Sequence, residues 1–481
     1  MNMKKILLAA VNARYTHSCL ALYCLKSYTR GTDAEITIRE YSINRPAPEI
    51  AENIASARPD AVAFSVYIWN VELIKKILPE VRRRLADCVI ILGGPEASYN
   101  PGSWLDAYPF TNYVITGRGE AGFRFLVENN MRHTEKIINV PNPPFGEMPL
   151  PYDHGDMENL KNRYVYYESS RGCPFQCSYC LSSRDDQKWE AKRPETVMEE
   201  LAFILSHRPR LLKFVDRTFN LKRERYRKIW NFLIDNGRDA ATTCHFEIYP
   251  GLLDGDDFAI LSRCPKGLFQ FEIGVQSTNP ETLAAVKRNG NWEHDRAVIE
   301  RLVGLGTVRV HLDLIAGLPF DDKSSIGSAF NSLYALRPDH IQLGFLKVLP
   351  GTEMMERADE FGIVYAKSAP YQVLETGWLG AEDIRVLERV AFLIDRLRNT
   401  CRFRATLAAM ERLSITPFDL FLALADSLAG YSVPLTRAPE SGAGFLAQVI
   451  KERFFEKKGF LMDALRRDCR SASGKRPFSE K

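Results

Sequence analysis

Short apolar runs alternate with amphipathic segments along the first part of the chain. Between Lys4 and Asn130, five runs rich in Val, Ile and Leu are each followed by a segment whose apolar residues recur at helical spacing. Continuous apolar runs of this length are typical of strands buried on both faces, and helices between such strands form right-handed crossovers. The pattern predicts a doubly wound α/β domain with a parallel sheet.

Polar and glycine-containing segments follow the predicted strands of this domain. Doubly wound sheets bind ligands outside the carboxyl ends of their strands, where glycine lets the backbone approach a ligand closely. The candidate ligand-binding residues at these ends are Tyr15, Ser65, Gly93, Gly94, Gly117 and Glu120. A nucleotide- or flavin-binding sheet and a docking module without a ligand are alternatives, although no G-x-G-x-x-G motif follows the first strand.

A proline-rich stretch, residues 140–160, follows this domain and is predicted to be a linker. After it, six more strand candidates alternate with helical segments, which fits a partial (β/α)6 barrel of the TIM type better than a second open sheet. From residue 369 onward the pattern is helical. We therefore expect a doubly wound domain at 1–139, a barrel at 161–368 and a helical domain at 369–481.

Composition narrows the possible partners and location. The chain has 481 residues, 45% of them apolar, which is enough for roughly three domains with separate cores. The net charge is only +4, from 64 basic and 60 acidic residues, so the sequence does not predict bulk nucleic-acid binding. No apolar run reaches the ~18 residues of a transmembrane helix. We expect a cytoplasmic chain without a membrane partner.

Three of the ten cysteines, Cys173, Cys177 and Cys180, lie within eight positions. They follow the first predicted barrel strand, at the face where barrel enzymes keep their chemistry. Three thiolates on one loop can bind three irons of a 4Fe-4S cluster and leave the fourth iron open, as catalytic metal sites require. A structural zinc knuckle is the alternative, but no second Cys/His pair of zinc-site spacing follows.

The C-x-x-x-C-x-x-C loop, with Tyr179 before its last cysteine, resembles that of the radical S-adenosylmethionine (SAM) superfamily, and the resemblance extends from Tyr164 to Gly351. It implies that SAM binds the open iron and is cleaved to a 5′-deoxyadenosyl radical. The electron would come from a donor such as flavodoxin or ferredoxin. The residues expected to contact SAM are Phe175, Tyr179, Asp216, Glu272, Gly274, Gln276, Ile315 and Gly317.

Polar residues near the ends of three predicted barrel strands are candidates for contacts with ligands. Alternation along the fourth strand places Glu272, Gly274 and Gln276 on one face, which either points into the barrel beside SAM or faces solvent on an edge strand. On the second strand, Asp216 is expected to orient the amino group of SAM. The candidates for substrate contact are Arg217, His245 and Glu247, with an Arg217–Glu247 ion pair as the alternative.

A doubly wound domain ahead of such a barrel resembles the cobalamin-binding domain of radical SAM methylases. The D-x-H-x-x-G signature is absent, because His17 is preceded by Tyr15 two positions earlier and followed by Leu20 three positions later. We therefore expect cobalamin without a histidine below cobalt. The sequence as a whole predicts a radical SAM enzyme that uses cobalamin as a methyl carrier for C-methylation of an unknown substrate. Cobalamin-dependent rearrangement or redox chemistry, and a non-catalytic metal- and corrin-binding protein, are the alternatives.

Overall fold

The N-terminal region forms a six-stranded parallel sheet with helices packed on both faces. The computed structural model describes residues 4–183, 188–237, 242–288, 290–431, 433–436 and 438–472. The strands of this sheet are β1 (Lys4–Asn12), β2 (Ala34–Ser42), β3 (Ala61–Ser65), β4 (Val89–Gly93), β5 (Tyr113–Ile115) and β6 (Ile137–Ile138). The helices are α1 (Leu20–Tyr28), α2 (Ala47–Ser56), α3 (Val71–Arg84), α4 (Pro95–Tyr99), α5 (Pro101–Ala107) and α6 (Gly119–Glu128).

The strand order of this sheet is β2-β1-β3-β4-β5-β6, which confirms the doubly wound domain. The central strands β1 and β3 are buried on both faces, as their continuous apolar runs predict. The chain places β2 on one side of β1 and then places β3 and the later strands on the other side. The strand order therefore reverses between β1 and β3. In folds of this kind the ligand crevice lies at that reversal, outside the carboxyl ends of the strands.

The central region begins with α7 (His154–Asn159) and forms a second parallel sheet with six long-range paired strands. They are β7 (Val165–Tyr167), β10 (Leu211–Phe214), β11 (Thr243–Glu247), β12 (Phe269–Gln276), β13 (Arg309–Ala316) and β14 (His340–Phe345). A small ladder joins β8 (Ser170–Arg171) and β9 (Glu190–Ala191). The helices are α8 (Pro194–Ser206), α9 (Arg223–Asn236), α10 (Gly255–Ser262), α11 (Pro280–Ala285), α12 (Trp292–Leu305), α13 (Lys323–Ala335) and α14 (Glu353–Glu356).

The order β14-β13-β12-β11-β10-β7 leaves β7 and β14 at the two edges, which confirms the partial barrel. Alternate residues of β12 point to opposite faces of the sheet, and the two faces differ in burial. Phe269, Phe271 and Ile273 are fully buried in the aromatic core under the helices, where Trp230 lies 5.4 Å from Phe271 between ring centroids. The residues between them are partly accessible and face the barrel interior. The interior is therefore lined by the polar side chains of the strands.

The C-terminal region is mainly helical, as expected. It contains a short hairpin of β15 (Val364–Tyr365) and β16 (Val373–Glu375), followed by α15 (Ala381–Leu393), α16 (Arg404–Glu411), α17 (Pro417–Ala429), α18 (Pro439–Arg453) and α19 (Lys458–Ala472). Helix α17 packs against α13, where a Cβ atom on Gly327 would lie 2.5 Å from the Phe418 ring. This contact joins the helical region to the outer surface of the barrel. Among the described residues, no helix is long and apolar enough to span a bilayer.

Buried polar contacts join the N-terminal domain to the edge of the barrel at β7. Glu40, whose side chain is 3% exposed, accepts a hydrogen bond from Arg163 Nη1 at 2.5 Å. The backbone N–H of Tyr164 donates to Thr16 O at 2.7 Å. Such buried charge-assisted bonds are costly to break. They hold the loop that follows β1 against the first barrel strand.

Candidate active site

The cysteine loop lies between β8 and β9 at the carboxyl end of the first barrel strand. Gly172 begins it with a left-handed φ of +81°, a conformation that glycine adopts without strain. The N–H of Ser178 donates to Val286 O at 3.0 Å, and the carbonyl of Ser178 accepts from the N–H of Met354 at 2.8 Å. The loop is thus fixed from both sides by backbone hydrogen bonds.

The three thiols of the loop lie in a partly buried, polar environment. Cys173 Sγ lies 3.6 Å from Thr218 Oγ1, and Cys177 Sγ lies 3.9 Å from Arg288 Nη1. Burial raises the pKa of the Cys173 thiol, and the nearby Cys180 and Cys177 add to the increase. None of these cysteines is in a disulfide. A bound metal would remove their protons, because metal ligation requires the thiolate.

The donor set fits an iron–sulfur cluster better than a single zinc ion. Among the described residues, no three His, Cys, Asp or Glu side chains are arranged to hold one metal ion. In a cubane cluster each thiolate binds its own iron, so the sulfur atoms need not converge on one point. The zinc alternative thus finds no ligand set in the part of the chain that the structure describes.

Arg288 connects the cysteine loop to β12, and the sequence analysis missed it because it lies in a loop without a motif. Its guanidinium donates to the carbonyl of Gly274, lies near Cys177 Sγ, and sits 5.8 Å from the centroid of the Tyr249 ring. The ring of Phe175 is 5.2 Å from the same tyrosine. The Arg288 side chain therefore contacts Cys177, the backbone of β12 and the aromatic residues beside them.

A cavity of about 310 Å³ opens between the cysteine loop and the ends of β12, β13 and β14. Its lining residues are Tyr179, Gln276, Asp313, Leu314, Ile315, Gln342, Gly344, Phe345, Leu346, Lys347 and Leu349. Three of the residues expected to contact SAM, Tyr179, Gln276 and Ile315, are among them. Asp313, Gln342 and Lys347 were missed by the sequence analysis, although strand alternation places Asp313 on the same face as Ile315.

One buried acceptor atom of this cavity, Gln276 Oε1, has no hydrogen-bond partner within the described residues. Asp313 Oδ1, which also faces the cavity, lies 3.0 Å from His311 Nε2. Burial lowers the pKa of His311, but the Asp313 carboxylate outweighs that effect and raises it. Buried polar groups are normally paired, so unpaired acceptors facing a cavity indicate where a ligand would place its own donors. SAM offers an ammonium group and two ribose hydroxyls for this purpose.

The space beside Gly274, which was expected to contact SAM, is occupied by Gln276. Gln276 has a left-handed φ of +71°, and the pairing of β12 with β13 shifts register between these two residues. The amide folds back over the glycine, where an added Cβ would lie 2.0 Å from Gln276 Nε2. The space beside Gly274 is therefore filled by the protein's own amide rather than left for a cofactor. Because β12 lies inside the sheet, the edge-strand alternative for this face is wrong.

Glu272 lies deeper in the barrel than the cavity-lining residues. Its Oε2 atom is 2.8 Å from His245 Nε2 and 3.8 Å from Lys213 Nζ. Burial lowers the pKa of His245 to about 2, and the Lys213 charge adds to the effect. Burial also raises the pKa of Glu272, to which Asp313 contributes. These residues form a buried polar layer beneath the cavity.

Glu247 is largely withdrawn from solvent at the end of β11. Burial raises the pKa of its carboxyl to about 7, against the opposing charge of Arg217. The side chain of Arg217 is exposed at the barrel mouth, and the alternative ion pair between these two described residues is not formed. Both side chains remain available to a ligand at the mouth of the barrel.

Asp216 does not reach the cavity, contrary to the expectation that it orients the SAM amino group. Its side chain is fully buried and accepts hydrogen bonds from Ser169 N, Ser169 Oγ and Ser170 Oγ at 2.5–2.9 Å. Arg225 lies 4.0 Å away. The carboxylate thus holds the chain where it leaves β7 and approaches the cysteine loop. Sequence alternation cannot distinguish this structural role from ligand contact.

In the N-terminal domain, the ends of β1 and β3 carry the exposed aromatic residues of the crevice. Asn70 Nδ2 donates to Val11 O and to Ser65 O, both at 3.0 Å, and fixes the loop after β3. Trp69 on this loop is 46% exposed and stacks on Tyr67 with 4.4 Å between ring centroids. Tyr15 is 72% exposed. Exposed aromatic surface at a ligand crevice indicates a binding face. The sequence analysis singled out Tyr15 and Ser65 but missed Trp69.

The glycines and the acidic residue predicted at the other strand ends make contacts within the protein. Gly94 has a φ of +97°, and a Cβ there would lie 2.6 Å from Val66 O, so this backbone contact alone requires glycine. A Cβ on Gly93 would meet its nearest atom at an ordinary 3.8 Å. Gly117 also has a left-handed φ, of +69°. Glu120 forms an ion pair with Arg171 at 2.9 Å across the domain junction.

His17 is tied to the barrel rather than to its own sheet. Its Nδ1 atom lies 2.6 Å from Tyr166 Oη, and its ring is 5.3 Å from that of Tyr164. Burial lowers the pKa of His17, with a further contribution from Lys213. The histidine therefore joins the loop after β1 to the first strand of the barrel.

A partial barrel with three cysteines outside disulfides on the loop after its first strand, preceded by a doubly wound domain, is the arrangement expected of a radical SAM protein with a second ligand-binding domain. Family models confirm both parts. The B12 binding domain model matches residues 6–127, and the Radical SAM superfamily model matches residues 167–333. A third model, a protein family of unknown function termed DUF4080, matches residues 359–431. The chain is a radical SAM protein with a B12-binding domain, and these domains imply a 4Fe-4S cluster, SAM and cobalamin as cofactors.

Curated relatives match more than half of the chain at low sequence identity. The chain is 22% identical over 351 residues to the cobalamin-dependent radical SAM methyltransferase TokK of Streptomyces tokunonensis, covering 66% of this chain and 51% of TokK. It is 24% identical over 305 residues to the 2-(S-pantetheinyl)-carbapenam-3-carboxylate methyltransferase of Streptantibioticus cattleyicolor, covering 57% and 45%. The chain thus spans about half the length of these two relatives.

A solved structure shows the same fold over nearly the whole chain. The cobalamin-dependent SAM radical enzyme OxsB, with aqua-cobalamin and SAM bound, aligns with a TM-score of 0.63 at 15% identity. The alignment covers 98% of this chain and 84% of OxsB. At this identity, the likeness establishes the fold alone.

Proposed function

We propose that the chain is a cobalamin-dependent radical SAM enzyme that transfers a methyl group to a carbon atom of its substrate. The observation that supports this most directly is the cavity beside the cysteine loop, where the unpaired acceptor Gln276 Oε1 and the carboxylate of Asp313 match the donors of SAM. A B12-binding domain packs against the edge of the same barrel. When bound, the cluster and SAM supply a carbon radical that removes a substrate hydrogen, and cobalamin supplies the methyl group.

Cys173, Cys177 and Cys180 are the proposed cluster ligands, and the protein shapes their surroundings. Arg288 Nη1 lies 3.9 Å from Cys177 Sγ and places positive charge beside the proposed ligands. Phe175 and Tyr249 pack beside the loop and limit the access of water. The loop itself is anchored through Ser178. The cysteines are therefore presented on a rigid, cationic and partly dry surface.

The cavity residues are proposed to hold SAM. Gln276 and Asp313 would accept hydrogen bonds from its hydroxyl or amino groups, while Tyr179 and Ile315 supply an apolar wall. Glu247 and Arg217 lie at the mouth of the barrel and would contact the substrate. Because burial raises the pKa of Glu247 to about 7, that carboxyl can act as donor or acceptor near neutral pH.

The crevice between β1 and β3 is proposed to bind cobalamin. Trp69, stacked on Tyr67, and the exposed Tyr15 offer flat apolar surface to the corrin ring. Ser65, Gly93, Gly94 and Gly117 lie at the strand ends of the same domain, where the rest of the cofactor would pass. Because the D-x-H-x-x-G signature is absent and the His17 ring packs against Tyr164 and Tyr166 of the barrel, we propose that this histidine is not a cobalt ligand.

The reaction also needs a one-electron donor, and we propose a protein of the flavodoxin or ferredoxin class. A cytoplasmic location suits this partner, and all ten cysteines are free of disulfides, as a reducing compartment requires. No feature of the described residues identifies the substrate itself.

The proposed activity is tested with protein reconstituted without oxygen with iron, sulfide and hydroxocobalamin. The reduced enzyme is incubated with SAM that carries a trideuterated methyl group and with a small-molecule extract, and the products are compared by mass spectrometry. We expect a labelled methyl product that requires cobalamin. Consumption of a substrate without label transfer would favour cobalamin-dependent redox or rearrangement chemistry. Absence of 5′-deoxyadenosine would contradict the radical mechanism.

A further inference from the structure

A segment of the C-terminal region, residues 366–373, crosses from the barrel to the N-terminal domain, and we call it the strap. The N–H of Val373 donates to Leu346 O at 2.9 Å, and the carbonyl of Tyr371 accepts from Val348 N at 3.0 Å. Lys347 and Gln372 form an antiparallel bridge between these two bonds. The strap is therefore bonded to the chain just beyond β14 through an isolated antiparallel bridge.

The barrel end of the strap forms the outer support of the cavity. Leu346, Lys347 and Leu349, which line the cavity, lie on the stretch of chain that pairs with the strap. Val373 also fills the space above Gly317, where an added Cβ would lie 2.7 Å from Val373 Cγ1. The glycine predicted beside the cofactor is thus required by the strap.

The other end of the strap reaches the B12-binding domain at residues 93–99, which comprise the end of β4 and the short helix α4. We call these residues the turn. Tyr371 Oη donates to Glu96 Oε2 at 2.7 Å, and Ala369 packs against the apolar core of that domain. Tyr371 has a left-handed φ of +57°, which is uncommon for an aromatic residue and persists only where surrounding contacts hold it. Glu96 stands two residues after Gly94, so the contact falls on the ligand-binding edge of the sheet.

We propose that the strap positions the B12-binding domain against the barrel cavity, with Tyr371 as the positioning residue. The proposal rests on the proposed function, in which cofactors held by two different domains must reach one carbon atom of the substrate. A displacement of about 1 Å between reacting groups can cost about a hundredfold in rate. The strap is bonded to both domains near their ligand-binding edges and contributes to that spacing together with the Glu120–Arg171 ion pair. The strap lies within residues 359–431, the region matched by the DUF4080 model, so the proposal gives a function to part of that region.

Among the described residues, this turn also contacts the barrel region through Tyr99 Oη, which lies 3.9 Å from Met355 Sδ, a weak interaction. The stronger ion pairs of the domain junction lie elsewhere. Glu40 pairs with Arg163 beside β7, and Glu120 pairs with Arg171 directly before the cysteine loop. Loss of the Tyr371 hydroxyl should therefore loosen the turn while these ion pairs keep the domains attached.

The test compares Tyr371→Phe with the matched control Tyr334→Phe in the full-length protein. Tyr334 Oη also donates to a carboxylate, Glu411 Oε1 at 2.6 Å, but that bond joins two elements outside the B12-binding domain. Amide hydrogen exchange is followed by mass spectrometry over residues 93–99. We expect exchange there to be about tenfold faster in Tyr371→Phe, the equivalent of losing one hydrogen bond to a charged group. Glu96→Gln, which keeps an acceptor, should have a smaller effect.

Unchanged exchange of residues 93–99 in Tyr371→Phe, or the same increase in Tyr334→Phe, would overturn the proposal. This readout needs no cofactor, so it stands even if the enzyme proves not to transfer methyl groups. With an active enzyme, the ratio of methylated product to 5′-deoxyadenosine should fall in Tyr371→Phe and not in Tyr334→Phe. Faster exchange with an unchanged ratio would show that the strap holds the turn without positioning the cofactors, and would also refute the proposal.

Discussion

The fold-back of Gln276 over Gly274 makes a quantitative prediction about SAM affinity. In Gln276→Ala, SAM loses one neutral hydrogen bond, which contributes about 0.5–1.5 kcal/mol. The dissociation constant should therefore rise roughly two- to twelvefold. The unpaired Oε1 atom faces the cavity, so no bond within the described residues compensates for the loss.

Gly274→Ala should reproduce this loss without touching Gln276 itself. The new Cβ would lie 2.0 Å from Gln276 Nε2 and 3.1 Å from Cδ. Since non-bonded heavy atoms pack at about 3.5–4.0 Å, the amide must move by roughly 1.5 Å. That displacement exceeds the tolerance of a hydrogen bond, whose length spans about 0.5 Å. The double variant should thus bind SAM no more weakly than Gly274→Ala alone.

The assay is anaerobic equilibrium binding of SAM to reconstituted protein, after iron analysis shows that each variant holds a complete cluster. Gly304→Ala is the fold control, because a Cβ at that helical position meets nothing within 4 Å. Additive effects of the two substitutions would refute the reasoning. So would wild-type affinity in Gly274→Ala, which would mean that the Gln276 amide does not contact SAM.

Three further predictions concern the cluster, cobalamin and pH. Alanine at any of the three loop cysteines should lower the iron content and abolish 5′-deoxyadenosine formation, whereas Cys88→Ala should leave both unchanged. The assignment would be contradicted if the loop variants held as much iron as Cys88→Ala. Trp69→Ala should weaken hydroxocobalamin binding, measured by absorbance titration. His17→Ala should leave the visible spectrum of the bound corrin unchanged. A spectral shift in His17→Ala that indicates loss of an axial nitrogen would refute the prediction for His17. Because the pKa of Glu247 is about 7 when folded and 4.5 when unfolded, wild type should lose up to about 3 kcal/mol of stability between pH 4.5 and pH 7. Glu247→Gln should remove that loss, which urea unfolding at pH 5 and pH 8 would measure; an unchanged pH dependence would contradict the burial argument.

Hydrophobic patterning predicts the strands and helices of this chain well because both sheets are parallel and buried. All six barrel strands and the first five strands of the N-terminal sheet were expected, since each is a short apolar or alternating segment between helical segments. The sixth strand, Ile137–Ile138, has only two residues and leaves no pattern. The cysteine loop was located because its C-x-x-x-C-x-x-C spacing is local in the sequence.

The side-chain roles that the sequence could not supply depend on tertiary contacts. Asp216 follows a strand like a ligand-binding residue, but two serines near β8 take up its carboxylate. Gln276 contacts Gly274 only because a register shift gives it a left-handed backbone. Trp69 was missed because its exposure at the sheet edge depends on the Asn70 bonds that shape the loop. Alternation indicates a face of a strand, but not which neighbour fills the space beside it.

The central claim is that this chain binds a 4Fe-4S cluster through its three loop cysteines and uses it to cleave SAM. The most direct measurement is the amount of 5′-deoxyadenosine formed from SAM by reduced, anaerobically reconstituted full-length protein, with the variant in which Cys173, Cys177 and Cys180 are all alanine assayed beside it. We predict that the wild-type protein forms 5′-deoxyadenosine and that the variant forms none. Equal amounts from both proteins, or none from a wild-type protein that carries a full cluster, would contradict the claim.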